Sequence, residues 1–211
     1  WAHQLDYDLC LQAGMNGAGS NCKHIVFLDD YLPFHPDWRH EGKQPAVTAD
    51  EHYPKFVRLF QYIESRMQLP VVVAAHPRSC YETHPDYFEG RAVIRGKTVE
   101  LVRDSACVIL SGSTALNFAV VYEKPVIFVT TDCIRRDYPF SRLIENLSQF
   151  LGKTPVNLNQ TLSLDLSVEL AVDVEAYRKY RSTYIKRPGT PELNSWVIIS
   201  RYLTDARSVG R

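Results

Sequence analysis

Apolar residues in this chain come in short unbroken runs, and helical spacing fills much of the chain between them. HIVFLD (residues 24–29), VVVAA (71–75), AVI (92–94), CVILS (107–111) and PVIFVT (125–130) are the runs. Their length and β-branched content predict strands. The absence of polar alternation predicts that both faces of most of them are covered. Phe56, Leu59, Phe60, Ile63 and Met67 recur at helical spacing and give one apolar face. Thr48 and Glu51 have the spacing of a capping box. Proline is tolerated in a first helical turn, so Pro54 moves the expected start of this helix to about residue 52. Pro70 separates it from the next strand. Further helices are expected over 98–105, 113–123 and 141–152, the last closed by Gly152. VNL (156–158) reads as an edge strand, and 174–185 and 191–206 as terminal helices.

Strands alternating with helices predict an α/β domain with a doubly wound, mostly parallel, Rossmann-like sheet and right-handed crossovers. The chain divides into a lead-in or interdomain segment (1–23), the Rossmann-like domain (24–160) and C-terminal helices packing on it (161–211). The loop 30–47 holds three prolines and is long for a compact domain, which marks it for function.

Charge and cysteine content narrow the partners. The 24 basic side chains balance 24 acidic ones, so no nucleic-acid partner is expected. No apolar run approaches the 18 residues or so of a membrane span. No strongly basic amphipathic helix demands a membrane surface, which leaves peripheral association open. The five cysteines are odd in number and form no CxxC pair, so neither a disulfide framework nor structural zinc is expected. Cys107 starts an apolar strand and reads as core. A reducing, cytoplasmic location follows as the expectation.

Ligands of open parallel sheets bind at the carboxyl ends of strands. Three segments fall there. Asp29 and Asp30 follow the first strand, where paired carboxylates can act as a base, bind a hydroxyl or form a solvated turn. His35 and Asp37 share the loop that follows. His76-Pro77-Arg78 follows the second strand. The histidine can donate to a phosphate oxygen and the arginine can hold one in bidentate fashion, or the histidine can be a satisfied structural one. Ser111-Gly112-Ser113-Thr114 lies between a strand and a helix. Gly112 lets the backbone turn tightly, and the free N–H groups of 113–115 would face an anion with the helix dipole behind them. Plain N-capping by Ser113 or Thr114 is the alternative. Arg135, Arg136 and Arg142 follow the strand 125–130 and are placed near the same edge, with a solvated basic loop as the alternative. His84-Pro85-Asp86 reads as a turn. Asp29 and Asp30 are the one hard-ligand cluster, and no metal site is expected.

"VVVAAHPR" together with "GKTVELVRDSACVILSGSTALNFAVVYEKPVIFVT" resembles the C-terminal half of GT-B glycosyltransferases. The style is that of enzymes building bacterial capsule, lipopolysaccharide, sialylated or Kdo-type surface glycans. The resemblance covers roughly residues 24–130. It implies a nucleotide-sugar donor, CMP or UDP type favoured, as substrate, with no further cofactor and no metal. His76, Arg78, Ser111, Gly112, Ser113 and Thr114 would hold the donor phosphate. Ile94, Arg95 and Gly96 would meet the base. Members often carry a ribose-binding Glu where this chain has Phe118, which leaves Asn117 as the substitute. Asp30 or Asp29 is the candidate catalytic group. The family's second, acceptor-binding domain is expected in a longer chain, and the enzyme at the inner face of the membrane with a glycan acceptor. A GT-B-like nucleotide-sugar epimerase and a non-catalytic anion-binding module are the competing readings.

Overall fold

The computed structural model describes residues 3–15 and 22–209. Six strands form one sheet: β1 (His24–Leu28), β2 (Val71–Ala75), β3 (Val93–Arg95), β4 (Ser105–Leu110), β5 (Val126–Thr130) and β6 (Val156–Asn157). Neighbours are parallel throughout, in the order β3-β2-β1-β4-β5-β6. The chain winds outward from β1 to β3, returns, and winds outward again from β4 to β6. The direction reverses between β1 and β4, which is where this topology opens a crevice. The fold is the expected Rossmann-like doubly wound α/β fold.

The unbroken apolar runs have the predicted cause. In β1, Val26 and Leu28 enter the core on one face of the sheet, and Ile25 and Phe27 enter the core on the other. Every residue of β1 and β5 is buried.

The helices are α1 (Leu5–Ala13), α2 (Pro36–His40), α3 (Ala49–Met67), α4 (Thr98–Arg103), α5 (Leu116–Val121), α6 (Asp132–Arg136), α7 (Tyr138–Phe150), α8 (Leu166–Glu169), α9 (Val174–Tyr180) and α10 (Ser195–Val209). Tyr53, Phe56, Leu59, Phe60 and Ile63 of α3 cover one face of the sheet. Tyr7 and Cys10 of α1, Val99 and Val102 of α4, α5, and Tyr177 and Tyr180 of α9 cover the other.

Several boundaries differ from the expected ones. α3 starts at Ala49, not near residue 52, because Thr48 accepts the Glu51 N–H and fixes the first turn. Pro54 therefore sits inside the helix. The carbonyl it leaves unpaired belongs to exposed Asp50, where water can serve it. α5 starts at Leu116 rather than 113, and α10 at Ser195 rather than 191. α9 passes into a π-helical turn over Arg181–Ile185. The loop 30–47 carries a 3₁₀ turn (Leu32–Phe34) and α2.

Of the segment expected as a lead-in, residues 1, 2 and 16–21 lie outside the described residues, as do 210 and 211 at the other end. The described part is α1, packed on the domain. Asp8 of α1 is buried and accepts from the backbone N–H of Ser195 at 2.8 Å and from the Ser195 hydroxyl, which ties α10 to α1. Among the described residues no helix is long and apolar enough to cross a membrane.

Candidate functional site

A cleft of about 1050 Å³ opens at the carboxyl edge of the sheet, over the crevice between β1 and β4. Asp30 follows β1, His76-Pro77-Arg78 follows β2, Gly96 follows β3, and Gly112-Ser113-Thr114 follows β4. All of them line it. His35, Asp37 and Trp38 line it as well, as do Pro139, Phe140 and Leu143 of α7, with the Phe140 ring against Gly112. Asp6, Leu9 and Ala13 of α1, with Val99 and Phe118, line it too.

The two carboxylates part company. Asp29 is buried and turns away from the cleft, where it accepts from the Tyr81 hydroxyl at 2.7 Å and the Tyr31 N–H at 3.0 Å. Burial pushes its carboxyl up to about 6 against the lowering effect of these donors and of the His76 N–H. Tyr31 holds a left-handed backbone (φ 53°), which turns the chain sharply just after Asp30. Asp30 faces the cleft and accepts from the Gly112 N–H at 3.3 Å. Burial first, and the neighbouring Asp29 charge second, push it up to about 7. Asp30 keeps partial exposure, so water in the cleft moderates that shift.

The His76 ring stands against that of His35, with centroids 4.8 Å apart at 70°. His76 Nδ1 accepts the Arg78 N–H at 3.2 Å, so the neutral ring carries its proton on Nε2. That leaves Nε2–H as a donor. Burial lowers the pKa of His76, and the neighbouring His35 and Arg78 lower it further. Arg78 donates to Asp37 Oδ1 at 3.0 Å, a pair half exposed at the rim, so a phosphate would compete with Asp37 for this guanidinium.

The turn after β4 differs from the expected cap. Neither Ser113 nor Thr114 caps α5, whose six residues start after Ala115. Ser113 Oγ instead accepts the Ala115 N–H at 3.4 Å within the turn. A Cβ at Gly112 would meet Phe140 Cε2 at 2.6 Å, so any side chain here would have to displace that ring.

Five of the expected site residues are not brought to the cleft. Asp29 is held as described, and the Ser111 side chain is buried beneath the turn. Ile94 lies within β3. Arg95 folds back on the Ser79 carbonyl and pairs with Glu82 at 3.6 Å. Asn117 is buried and donates to Gln4 Oε1 at 2.9 Å and Asp6 Oδ2 at 2.7 Å. Arg135, Arg136 and Arg142 do not line the cleft either. Asp86 makes the expected turn by accepting the Phe88 and Gly90 N–H groups. The residues that sequence reasoning missed include Asp6, Leu9 and Ala13 of α1, Trp38, Val99 of α4, and Pro139, Phe140 and Leu143 of α7, none of which directly follows a strand. Among the described residues no group of three or more His, Cys, Asp or Glu is arranged to hold a metal ion.

Fold and cleft together define a doubly wound α/β protein with a crevice at its topological switch point. In comparisons with known proteins no family model matches this chain, and no curated protein or solved structure matches it.

Proposed function

We propose that this chain is the nucleotide-sugar-binding domain of a glycosyltransferase acting on bacterial surface polysaccharide. The observation that carries the proposal is convergence. His76, Gly96 and the 112–114 turn are far apart in sequence, and each follows a different strand, yet they line one cleft. That cleft is large enough for a nucleoside diphosphate and a sugar. In this reading His76 Nε2–H and the Gly112 turn stabilise the leaving phosphate, an electrostatic role. Asp30, with a carboxyl near neutrality, is suited to take the proton of the attacking hydroxyl. The glycan acceptor would come from the open side, held by a second domain. The reaction would run at the inner face of the membrane.

One observation favours a second reading, a nucleotide-sugar epimerase. Such chemistry needs carboxylates and histidines in one cleft, and Asp30, Asp37, His35 and His76 share this one. Incubation with a nucleotide sugar in D₂O separates the two. Deuterium incorporated into the sugar supports epimerisation, and transfer to a glycan without deuterium supports the transferase.

The deciding experiment is a calorimetric titration with CMP, CDP, UMP, UDP and GDP, on the wild type and on His76→Ala. The expected outcome is saturable binding of one nucleotide family, weakened about tenfold by the substitution, as for loss of one charge-assisted hydrogen bond. Binding of none, or equal binding by His76→Ala, counts against the reading.

A further inference from the structure

Tyr31, which turns the chain after Asp30, belongs to a cluster that the cleft does not use. Its hydroxyl lies 3.1 Å from the Cys80 sulfur and 3.0 Å from His84 Nε2. The sulfur and Nε2 are 3.8 Å apart, so the phenol bridges a thiol and an imidazole that nearly touch. None of the three side chains lines the cleft. Local structure brings them together. Cys80 and His84 flank a 3₁₀ turn over Tyr81–Thr83, closed by the Thr83 N–H and hydroxyl on the Cys80 carbonyl at 2.9 and 2.8 Å. The His84 ring is stacked on Phe34, with centroids 4.2 Å apart at 16°. The Tyr31 ring stands edge-on to Tyr81, with centroids 5.2 Å apart. Packing thus fixes both rings, while Cys80 and His84 stay partly exposed.

A thiol is a poor nucleophile until it loses its proton. Here the proton has a route. The thiol donates to the Tyr31 oxygen, and the Tyr31 hydroxyl donates to His84 Nε2. Once the proton has reached His84 both bonds reverse, so that Nε2–H donates to Tyr31 and the Tyr31 hydroxyl donates to the thiolate. No heavy atom has to move. The Tyr31 bond first, and a Thr83 bond second, hold the Cys80 thiol below its ordinary pKa, with Arg95 in support and burial and Glu82 opposed. The other cysteines differ. Burial pushes Cys10 and Cys107 up to about 12, and Cys22 and Cys133 are partly exposed. We infer that Cys80, served by Tyr31 and His84, is a site of oxidation by peroxides. The sulfur attacks the peroxide, an S–O bond forms and the O–O bond breaks. The sulfur is oxidised to a sulfenic acid, and the departing hydroxide takes the proton from His84 and leaves as water. The inference stands whether or not the cleft binds a nucleotide.

The test treats the whole reduced chain with iodoacetamide, or with hydrogen peroxide and dimedone to trap sulfenic acid, and reads each cysteine by peptide mass spectrometry. At pH 7 Cys80 should label about tenfold faster than Cys22 or Cys133 with both treatments, as for a thiolate held by a hydrogen bond. Cys10 and Cys107 should label only on unfolding. Tyr31→Phe keeps the ring and breaks the relay. His84→Gln keeps an acceptor for Tyr31 but cannot take up the proton. Each should slow Cys80 about tenfold and raise the pH at which its labelling is half-maximal, with Cys22 and Cys133 unchanged. A merely structural role would leave that pH in place. Should a variant unfold, which labelling of Cys10 and Cys107 reveals, the wild-type order of labelling decides. Cys80 labelling no faster than Cys22 and Cys133, or an unchanged pH profile in both variants, overturns the inference. So does fast alkylation with no dimedone adduct at Cys80.

Discussion

Asp29 and Asp30 are adjacent in sequence, yet one is spent on structure and the other is free to meet a ligand. Asp30 carries a testable cost. Its folded pKa of about 7 lies above the ordinary value of 3.8, so between those values the folded state holds a proton that the unfolded state has lost. The stability this gives is fully present below about pH 3.8 and is lost as pH rises through 7. Asp30→Asn cannot ionise and keeps an acceptor for Gly112. It should therefore be more stable than wild type at pH 8, by about 1–2 kcal/mol after allowing for water in the cleft, and equal to it near pH 4. Urea unfolding at both pH values measures this, and a gain of the same size at pH 4 would discard the account. The same charge opposes an anionic ligand. Nucleotide affinity of the wild type should fall from pH 6 to pH 8, and by less in Asp30→Asn. That both carboxylates end the first strand is visible in the sequence. That they face opposite ways is not, because strand alternation stops at Leu28 and the left-handed turn at Tyr31 decides the rest.

Among the elements, the strands were legible and the turns between them less so. A strand covered on both faces must be apolar at successive positions, and few other segments are, so β1, β2, β4 and β5 stand out. The start of α3 was obscured because two local rules conflict. Thr48 argues for a start at 49 and Pro54 for a later one, and the cap prevails where solvent can serve the orphan carbonyl. The turn after β4 was legible as a tight turn but not as a packed one. Gly112 is needed less for its backbone than for the Phe140 ring that lies on it. Gly112→Ala should cost about 1–3 kcal/mol, as overpacking does, because the ring must move. Adding Phe140→Ala should return part of that loss, since the crowding is between these two groups. Independent, additive losses in the double variant would mean that the Cβ strains the backbone instead.

For the whole molecule, the decisive part is α1, which sequence pattern could not place. A helix is recognised by an apolar stripe, and α1 buries Asp8 beside Tyr7 and Cys10, which blurs the stripe. Asp8 is tolerated there because it is fully bonded, to His3 Nε2 at 2.8 Å and to the N–H and hydroxyl of Ser195. Burial opposes its ionisation, but the Ser195 and His3 bonds hold its pKa below the ordinary value. One carboxylate thus joins the first described helix to the last, and the helix that bears it also lines the cleft. Asp8→Ala leaves the Ser195 N–H and the His3 ring without their acceptor and should cost about 2–4 kcal/mol. The loss should be localised. In hydrogen exchange, α10 and α1 should open first while β1 and β4 stay protected, since the sheet does not depend on this contact. Because α1 lines the cleft, affinity for a nucleotide bound there should fall in step with the opening of α1. Loss of α10 protection with α1 and nucleotide affinity both unchanged would instead make Asp8 a tether for the last helix alone.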